Sequence, residues 1–315
     1  MSYQRGKKMI ELITTVASVD QAKKLLAAGV DTIYFGEETF GLRLPYSFSR
    51  TEQKELVNLA HAAGKKAAIA VNGIMHPEKM KQVPEYLAFV KESGADQIVV
   101  GDPGVVYVMM QDEKLATPFV YDGETLVTSA RQINFWAKKG AVGAVLAREV
   151  PFAEMVEMAP QLTVPAEVLV YGATCIHQSK RPLLQNYYNY TQQDEQTSRE
   201  RDLFLSEPKK PETHYSIFED SHGTHIFADN DLDLMKEVDQ LAQTGFKTWK
   251  LDGLFTDEEN FVAVTKLFIA AKTAILAGTW DEAQAMAYDE KLRSFHPEKR
   301  GLDTGFYYLD PKSIR

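Results

Sequence analysis

Four times along the chain an amphipathic stretch of helical period ends at a glycine and passes at once into a short apolar run. These are LLAAGVDTIYFGEE, VKESGADQIVVGDP, AKKGAVGAVLAREV and LAQTGFKTWKLDGL, with the glycines at Gly29, Gly94, Gly140 and Gly245. Glycine takes the left-handed conformation that closes a helix, and an unbroken run of β-branched and aromatic residues suits a strand covered on both faces. Helix alternating with buried strand implies a parallel sheet. The pattern yields eight strands, at 11–16, 32–36, 67–72, 97–101, 118–122, 143–148, 167–171 and 247–252, and helices at 19–28, 51–63, 77–93, 129–139, 232–244 and 257–277. Eight parallel strands close a barrel, and no GxGxxG phosphate loop follows the first strand, as it would in a dinucleotide-binding open sheet. The expected fold class is therefore α/β, a (β/α)8 TIM-type barrel, with residues 1–315 as one domain.

The rhythm breaks once, between the seventh and eighth strands. Within that connection, 191–213 is rich in Gln, Glu, Arg, Ser, Lys and Pro and reads as a mobile lid or disordered loop. The following YSIFEDSHGTHIFA, 215–228, reads as two short strands around a polar turn at Gly223, a hairpin able to fold over the barrel mouth. The lid or hairpin insertion is placed at about 186–230.

Barrels of this kind carry their chemistry at the C-terminal strand ends. The polar residues there are Glu37 and Arg43 after the second strand, Asn72, Asp102 and Asp122 ending the next three, Arg148 and Glu149 at the sixth, Cys175 and His177 after the seventh, and Lys250 and Asp252 on the eighth. Strand alternation turns Trp249 and Leu251 toward the helices and Thr248, Lys250 and Asp252 inward, where Lys250 and Asp252 are expected to pair. Arg148, with Arg43 or Arg181, is expected to reach an open pocket. Cys175 has the makings of a nucleophile with His177 as its base, although residues so close in sequence rarely form such a pair; a buried structural cysteine is the alternative. His214, Asp220, His222 and His225 are possible metal ligands, but no HExxH or cysteine-rich spacing accompanies them, and no metal site is assigned.

A net charge of −9 disfavours nucleic-acid binding through an overall positive field, while leaving room for a local basic patch at Lys180, Arg181, Arg199, Arg201, Lys209 and Lys210. With 44% hydrophobic and 25% charged residues and no evident apolar run of about 20, the expectation is a soluble, cytoplasmic protein without membrane contact. The basic start MSYQRGKK lacks the apolar core of a secretory signal, and a single cysteine suits a reducing compartment.

The stretch EVLVYGATCIHQSKRPLL resembles the signature of the collagenase-like peptidase family, the U32 peptidases, at Glu167, Gly172, Ala173, Cys175, Ser179, Arg181, Leu183 and Leu184. RGLDTGFYY resembles the late family motif at Arg300, Gly301, Thr304, Gly305 and Phe306, and the strand at 144–149, AGVDTIYFG and FADNDLDLM extend the likeness over nearly the whole chain. Relatives continue with further cysteines, whereas here Pro182 follows Arg181 and Cys175 stands alone. The resemblance implies a link to oxygen-independent hydroxylation, and for short cysteine-poor members to prephenate-dependent 5-hydroxylation of the tRNA wobble uridine beside a cysteine-containing U32 paralogue. The alternatives it implies are a collagenase-like peptidase and a non-catalytic partner of that paralogue. No cofactor is expected, since one thiolate cannot hold a four-cysteine iron–sulfur cluster. The expected partners are tRNA, the paralogue and a small anionic ligand. The candidate catalytic residues are Glu167, Cys175, His177, Lys250 and Asp252; the candidate ligand-binding residues are Arg43, Asn72, Arg148, Glu149, Ser179 and Arg181.

Overall fold

The computed structural model describes residues 9–313; the basic start of the chain lies outside them. The strands are, in chain order, β1 Glu11–Thr15, β2 Thr32–Phe35, β3 Lys66–Val71, β4 Gln97–Val100, β5 Phe119–Tyr121, β6 Ala141–Val145 and β7 Ala166–Gly172. There follow β8 Cys175–Ser179, β9 Phe204–Glu207, β10 Lys210–Asp220, β11 Gly223–Phe227, β12 Asn230–Asp233, β13 Thr248–Leu251 and β14 Gly301–Asp303. Strands β1 to β7 are parallel neighbours in sequence order, and β13 pairs with both β7 and β1, so the sheet closes as an eight-stranded parallel barrel.

Alternation sorts the side chains into two layers. Ile33, Phe35, Ile69, Trp249 and Leu251 belong to the large core between sheet and helices. Ile13, Tyr34, Ala68, Ala70, Val99 and Val120 fill the barrel interior, with Val145 packed against them. Ile13 is opposite Lys250 and Thr15 is opposite Tyr34. The alanines keep the inner layer small, and this leaves room for the Tyr34 ring and the Lys250 chain to cross it.

Some elements differ from the sequence pattern. The sixth strand ends at Val145, so Arg148 lies on the loop beyond it. The expected helix at 77–93 is split into Pro77–Met80 and Val83–Ser93, with Pro84 in the first turn of the second, where its missing N–H costs nothing. The expected 232–244 helix begins only at Val238, because Asn230–Asp233 is a strand pairing antiparallel with the end of β7. Helices at Pro103–Gln111, Phe152–Met158, Leu183–Thr191 and Glu282–Arg293 had no counterpart in the pattern. Helix Glu258–Ala277 is long and apolar enough to cross a bilayer by length and composition, against the expectation that the chain holds no such run. Here Phe261, Val264, Leu267, Phe268 and Ala271 are buried in the core.

The insertion is ordered. The hairpin expected around Gly223 is β10–β11, flanked by β8 and β9 in a four-stranded antiparallel sheet of order β8-β11-β10-β9. Residues expected to be a mobile loop thus include a strand, tied by the Arg199 guanidinium to the carbonyls of Leu44 (3.0 Å) and Pro45 (2.5 Å). Ser221 N donates to Glu38 Oε1 (2.9 Å), and the His222 ring reaches the Glu38 carbonyl (2.6 Å). Both tethers fall on the loop after β2, so the sheet covers the C-terminal mouth as expected.

Candidate functional site

The mouth is assembled by short-range constraints at the strand ends. Asn72, one residue past β3, accepts from Leu42 N (2.9 Å) and donates to Asp122 Oδ2 (3.0 Å), so one amide fixes both the loop after β2 and the carboxylate after β5. Asp122 Oδ1 accepts from Glu124 N (3.2 Å) and turns the chain so that the Glu124 carboxylate meets the Arg43 guanidinium. Arg43 also donates to Gln178 Oε1 on the lid (2.9 Å). Asp252, beyond β13, is held by its amide to the Tyr171 carbonyl (2.9 Å) and accepts from Leu254 N (3.0 Å).

Below this layer, Lys250 Nζ lies 3.6 Å from Glu167 Oε1 and 3.9 Å from the centre of the Tyr34 ring. Its partner is therefore Glu167 rather than Asp252. Both are on the inward face, but Asp252 is anchored to the turn after β13, while the Lys250 chain extends across the ring toward the start of β7. Neither Glu167 Oε1 nor Tyr34 Oη has a hydrogen-bond partner among the described residues, although both are closed off from solvent.

Three cations, Arg43, Arg148 and Lys250, thus share the mouth with the carboxyls of Asp122, Glu124, Glu167 and Asp252. Burial pushes Asp122 above the ordinary carboxyl value, with Glu124 adding to the shift. Burial likewise raises Glu167 and Asp252, and Lys250 offsets this only in part. Glu124 goes the other way: burial works against its charge, but Arg43, Arg148 and Lys250 outweigh it and hold the carboxyl below its ordinary value. Tyr34 is driven well above the phenol value by burial and the surrounding carboxylates.

Arg148 and Glu149 line a cleft with Asp122 and Glu124 of about 20 Å³, roughly one water's worth of space. Arg148 has no ion-pair partner within 4 Å among the described residues. No wide pocket is shared by the arginines: Arg43 is buried in its pair with Glu124, and Arg181 is exposed at the lid edge, where its N–H donates to Ser179 Oγ (3.2 Å). Ser179 and Arg181 therefore shape the turn that leads out of β8 and stand away from the mouth. His177 is also exposed. A bulge between the Ile226–His177 and Phe227–Cys175 pairs puts Cys175 on the face of Gln178 and His225, with His177 on the other.

The hairpin histidines are occupied by protein groups. His225 Nε2 is 2.9 Å from Asp220 Oδ1, the His222 ring is bonded to the Glu38 carbonyl, and the His214 ring stacks on Phe204 at 4.0 Å. Tyr34, Glu124 and Gln178 were absent from the sequence-derived set, and His225 stood there only as a possible metal ligand. Tyr34 was within reach of the alternation argument that placed Lys250. Gln178 and His225 depend on β8 pairing with β11 across more than forty residues, which no local pattern reports.

A parallel eight-stranded barrel whose mouth gathers buried, opposed charges beneath an antiparallel lid defines the class of protein. The chain belongs to peptidase family U32, which it matches over residues 17–315. It is 36% identical over 311 residues to the tRNA hydroxylation protein P2 of Bacillus subtilis, an alignment covering 96% of this chain and 99% of that protein. It is 23% identical over 281 residues to the 23S rRNA 5-hydroxycytidine C2501 synthase of Escherichia coli, covering 88% of this chain but 41% of the synthase. The structure of the U32 peptidase Mk0906 superposes with a TM-score of 0.51 at 13% identity, covering 80% of this chain and 96% of that one, a likeness of fold.

Proposed function

We propose that this protein takes part in tRNA hydroxylation in the cytoplasm, at C5 of the wobble uridine, with a small dicarboxylate such as prephenate held at the barrel mouth. The observation that carries this reading is the 36% identity to tRNA hydroxylation protein P2, which runs through nearly the full length of both chains. The mouth supports it chemically. Among the described residues no carboxylate lies within ion-pair distance of Arg148, and its planar fork suits an incoming carboxylate. Tyr34 Oη and Glu167 Oε1 lie deeper, each without a hydrogen-bond partner among the described residues. Because the cleft beside Arg148 is water-sized, admitting a dicarboxylate requires the lid sheet or the 124–126 turn to shift.

The test is nucleoside mass spectrometry of bulk tRNA from a strain lacking the gene. The expected result is loss of the 5-hydroxylated uridine, full return with the wild-type gene, and return reduced by about tenfold or more with Arg148→Ala. Unchanged tRNA in the deletion strain overturns the reading.

A second reading, an accessory role beside a cysteine-containing U32 paralogue, is favoured by Cys175 being the only cysteine in the chain, too few thiolates for a four-cysteine iron–sulfur cluster. Under it, the tagged protein retains a longer U32 relative on purification. Purified alone, it then hydroxylates no tRNA.

A further inference from the structure

The inner face of the lid holds a constellation that the anion site leaves unused. Cys175 on β8 and His225 on β11 look toward the mouth together, because the bulge in their pairing sets Cys175 on the face shared by Gln178, His225 and Phe227. The His225 side chain is completely buried, with one ring nitrogen, Nε2, 2.9 Å from Asp220 Oδ1. The other, Nδ1, has no hydrogen-bond partner among the described residues and lies on the same face of the sheet as the thiol, which itself donates to the His177 carbonyl (3.3 Å). The charged groups facing the thiol are His225 from β11, Arg43 from the loop after β2 and Glu124 from the loop after β5. Burial alone raises the thiol, but the imidazole and the Arg43 charge outweigh burial and Glu124 and leave it below the ordinary cysteine value. Asp220, in turn, raises His225 against the effect of burial. An imidazole backed by a carboxylate on the same face as a thiol is a means of generating a thiolate at neutral pH, once the thiol turns from the His177 carbonyl to the ring. Cys175 is partly accessible, as a nucleophile must be.

We propose that Cys175, oriented by His225 and Asp220, is a nucleophile that adds to C6 of a pyrimidine ring in RNA, an assignment that rests on the tRNA-hydroxylation reading. As the sulfur–C6 bond forms, the C5=C6 electron pair moves toward the C4 carbonyl and gives an enolate. That enolate makes C5 nucleophilic and takes a proton there from water. Reversal removes a proton from C5, restores the double bond and expels the thiolate. Nothing is oxidised or reduced in the cycle, and its trace is exchange of the C5 hydrogen with solvent. C5 is also the carbon bearing the hydroxyl in the nucleoside made by the rRNA relative, whose name specifies 5-hydroxycytidine.

The test has two arms, both on the full chain. Since Cys175 is the only cysteine, iodoacetamide labelling followed by intact mass reads it alone. Alkylation at pH 6.5 is expected to be about tenfold faster in the wild type than in Asp220→Asn or His225→Gln, with the rates converging near pH 9. Equal rates across that range overturn the triad, provided the variants keep the wild-type circular dichroism; Asp220→Asn, the milder change, decides if His225→Gln misfolds. In the second arm, unmodified tRNA in D2O is expected to gain deuterium at C5 of uridine with the wild type and not with Cys175→Ser. Exchange unaffected by Cys175→Ser overturns the nucleophile. So does full restoration of tRNA modification in the deletion strain by the Cys175→Ser gene, and that result leaves the function itself standing. Cys175-dependent cleavage of gelatin without C5 exchange overturns the pyrimidine assignment in favour of peptide hydrolysis.

Discussion

Arg43 and Glu124 form an ion pair across the barrel mouth, and both hold left-handed backbone, at φ 50° and 53°. A side chain makes that conformation costly, and two such residues meeting through their charges indicate that the pair is what holds each loop in place. Asn72 and Asp122 set the loops, and the ion pair then locks them beneath Gln178 of the lid.

Arg43→Met is expected to destabilise the protein by about 2–4 kcal/mol at neutral pH, because it strands the Glu124 carboxylate beside Asp122 without its nearest cation. The pH dependence has a defined sign. Glu124 is held below its ordinary value, so its contribution is present above the unfolded carboxyl pKa and is lost as pH falls through the folded one. Urea unfolding of wild type and variant should therefore show a gap that is wide at pH 7 and narrows below about pH 4. A gap that does not change with pH would mean the loss comes from packing alone.

Asp233 offers the opposite case. Burial, together with the neighbouring Asp289 carboxyl, pushes its carboxyl up to about 8. Between the ordinary carboxyl value and about pH 8 the native state holds a proton that the unfolded chain has released, so this group lowers stability as pH rises through that window, levelling off above it. Asp233→Asn removes the titration. Relative to wild type, the variant should gain several kcal/mol, roughly 1.4 per pH unit, between pH 4 and pH 8 in urea unfolding. A constant difference between the two proteins would refute the shifted pKa.

How much of this was legible in the sequence depends on how local each constraint is. The eight barrel strands were readable because each is a short apolar run, four of them preceded by a helical stretch and a glycine, and Gly29, Gly94 and Gly245 do cap their helices in the left-handed conformation. The inward face of β13 followed from a two-residue period, and Trp249 and Leu251 do face the helices. What Lys250 touches did not follow, because alternation fixes a face but not the reach of a long chain to Glu167 on the adjoining strand. Glu124 was missed because its position is set by a 3-10 turn after Asp122 rather than by any periodicity. The lid's composition suggested disorder, yet its polar residues find partners on the barrel, as Arg199 does at Leu44 and Pro45.

Gly172 closes β7 at φ 126°, and a Cβ there would lie 2.4 Å from the Asp252 carbonyl oxygen. Any side chain must displace the very turn that presents Asp252 to the mouth. Gly172→Ala is accordingly expected to cost about 2 kcal/mol or more and to reduce tRNA modification in the complementation assay. Gly245→Ala supplies the control: its φ is 112°, but a Cβ would meet nothing within 4 Å. It should show only the backbone penalty, with modification intact. Equal effects of the two substitutions would remove the crowding argument.

Arg300 shows why the end of the chain belongs to the lid as much as to the barrel. Its guanidinium is almost fully buried, with Nε 3.0 Å from both Asp231 oxygens and Nη2 2.6 Å from one of them. It also bonds Ser216 of β10 (2.5 Å) and the Ala228 carbonyl beyond β11 (2.9 Å), and lies 4.6 Å from the centre of the Phe255 ring. One side chain thus joins the start of β14, the base of the lid sheet, β12 and the loop after β13. Lysine keeps the charge but has no planar fork, so Arg300→Lys is not a conservative change here. Arg300→Ala leaves Asp231 buried with only the His296 ring, 3.8 Å away, beside it and should cost about 3–5 kcal/mol, with Arg300→Lys losing about half as much. Because the contacts converge on the lid base, the loss should appear first as lid opening. Limited proteolysis mapped by mass spectrometry should cut within 199–220 in Arg300→Lys while the barrel remains intact. Cleavage spread evenly over the barrel loops would show that Arg300 supports the fold as a whole and does not specifically hold the lid down.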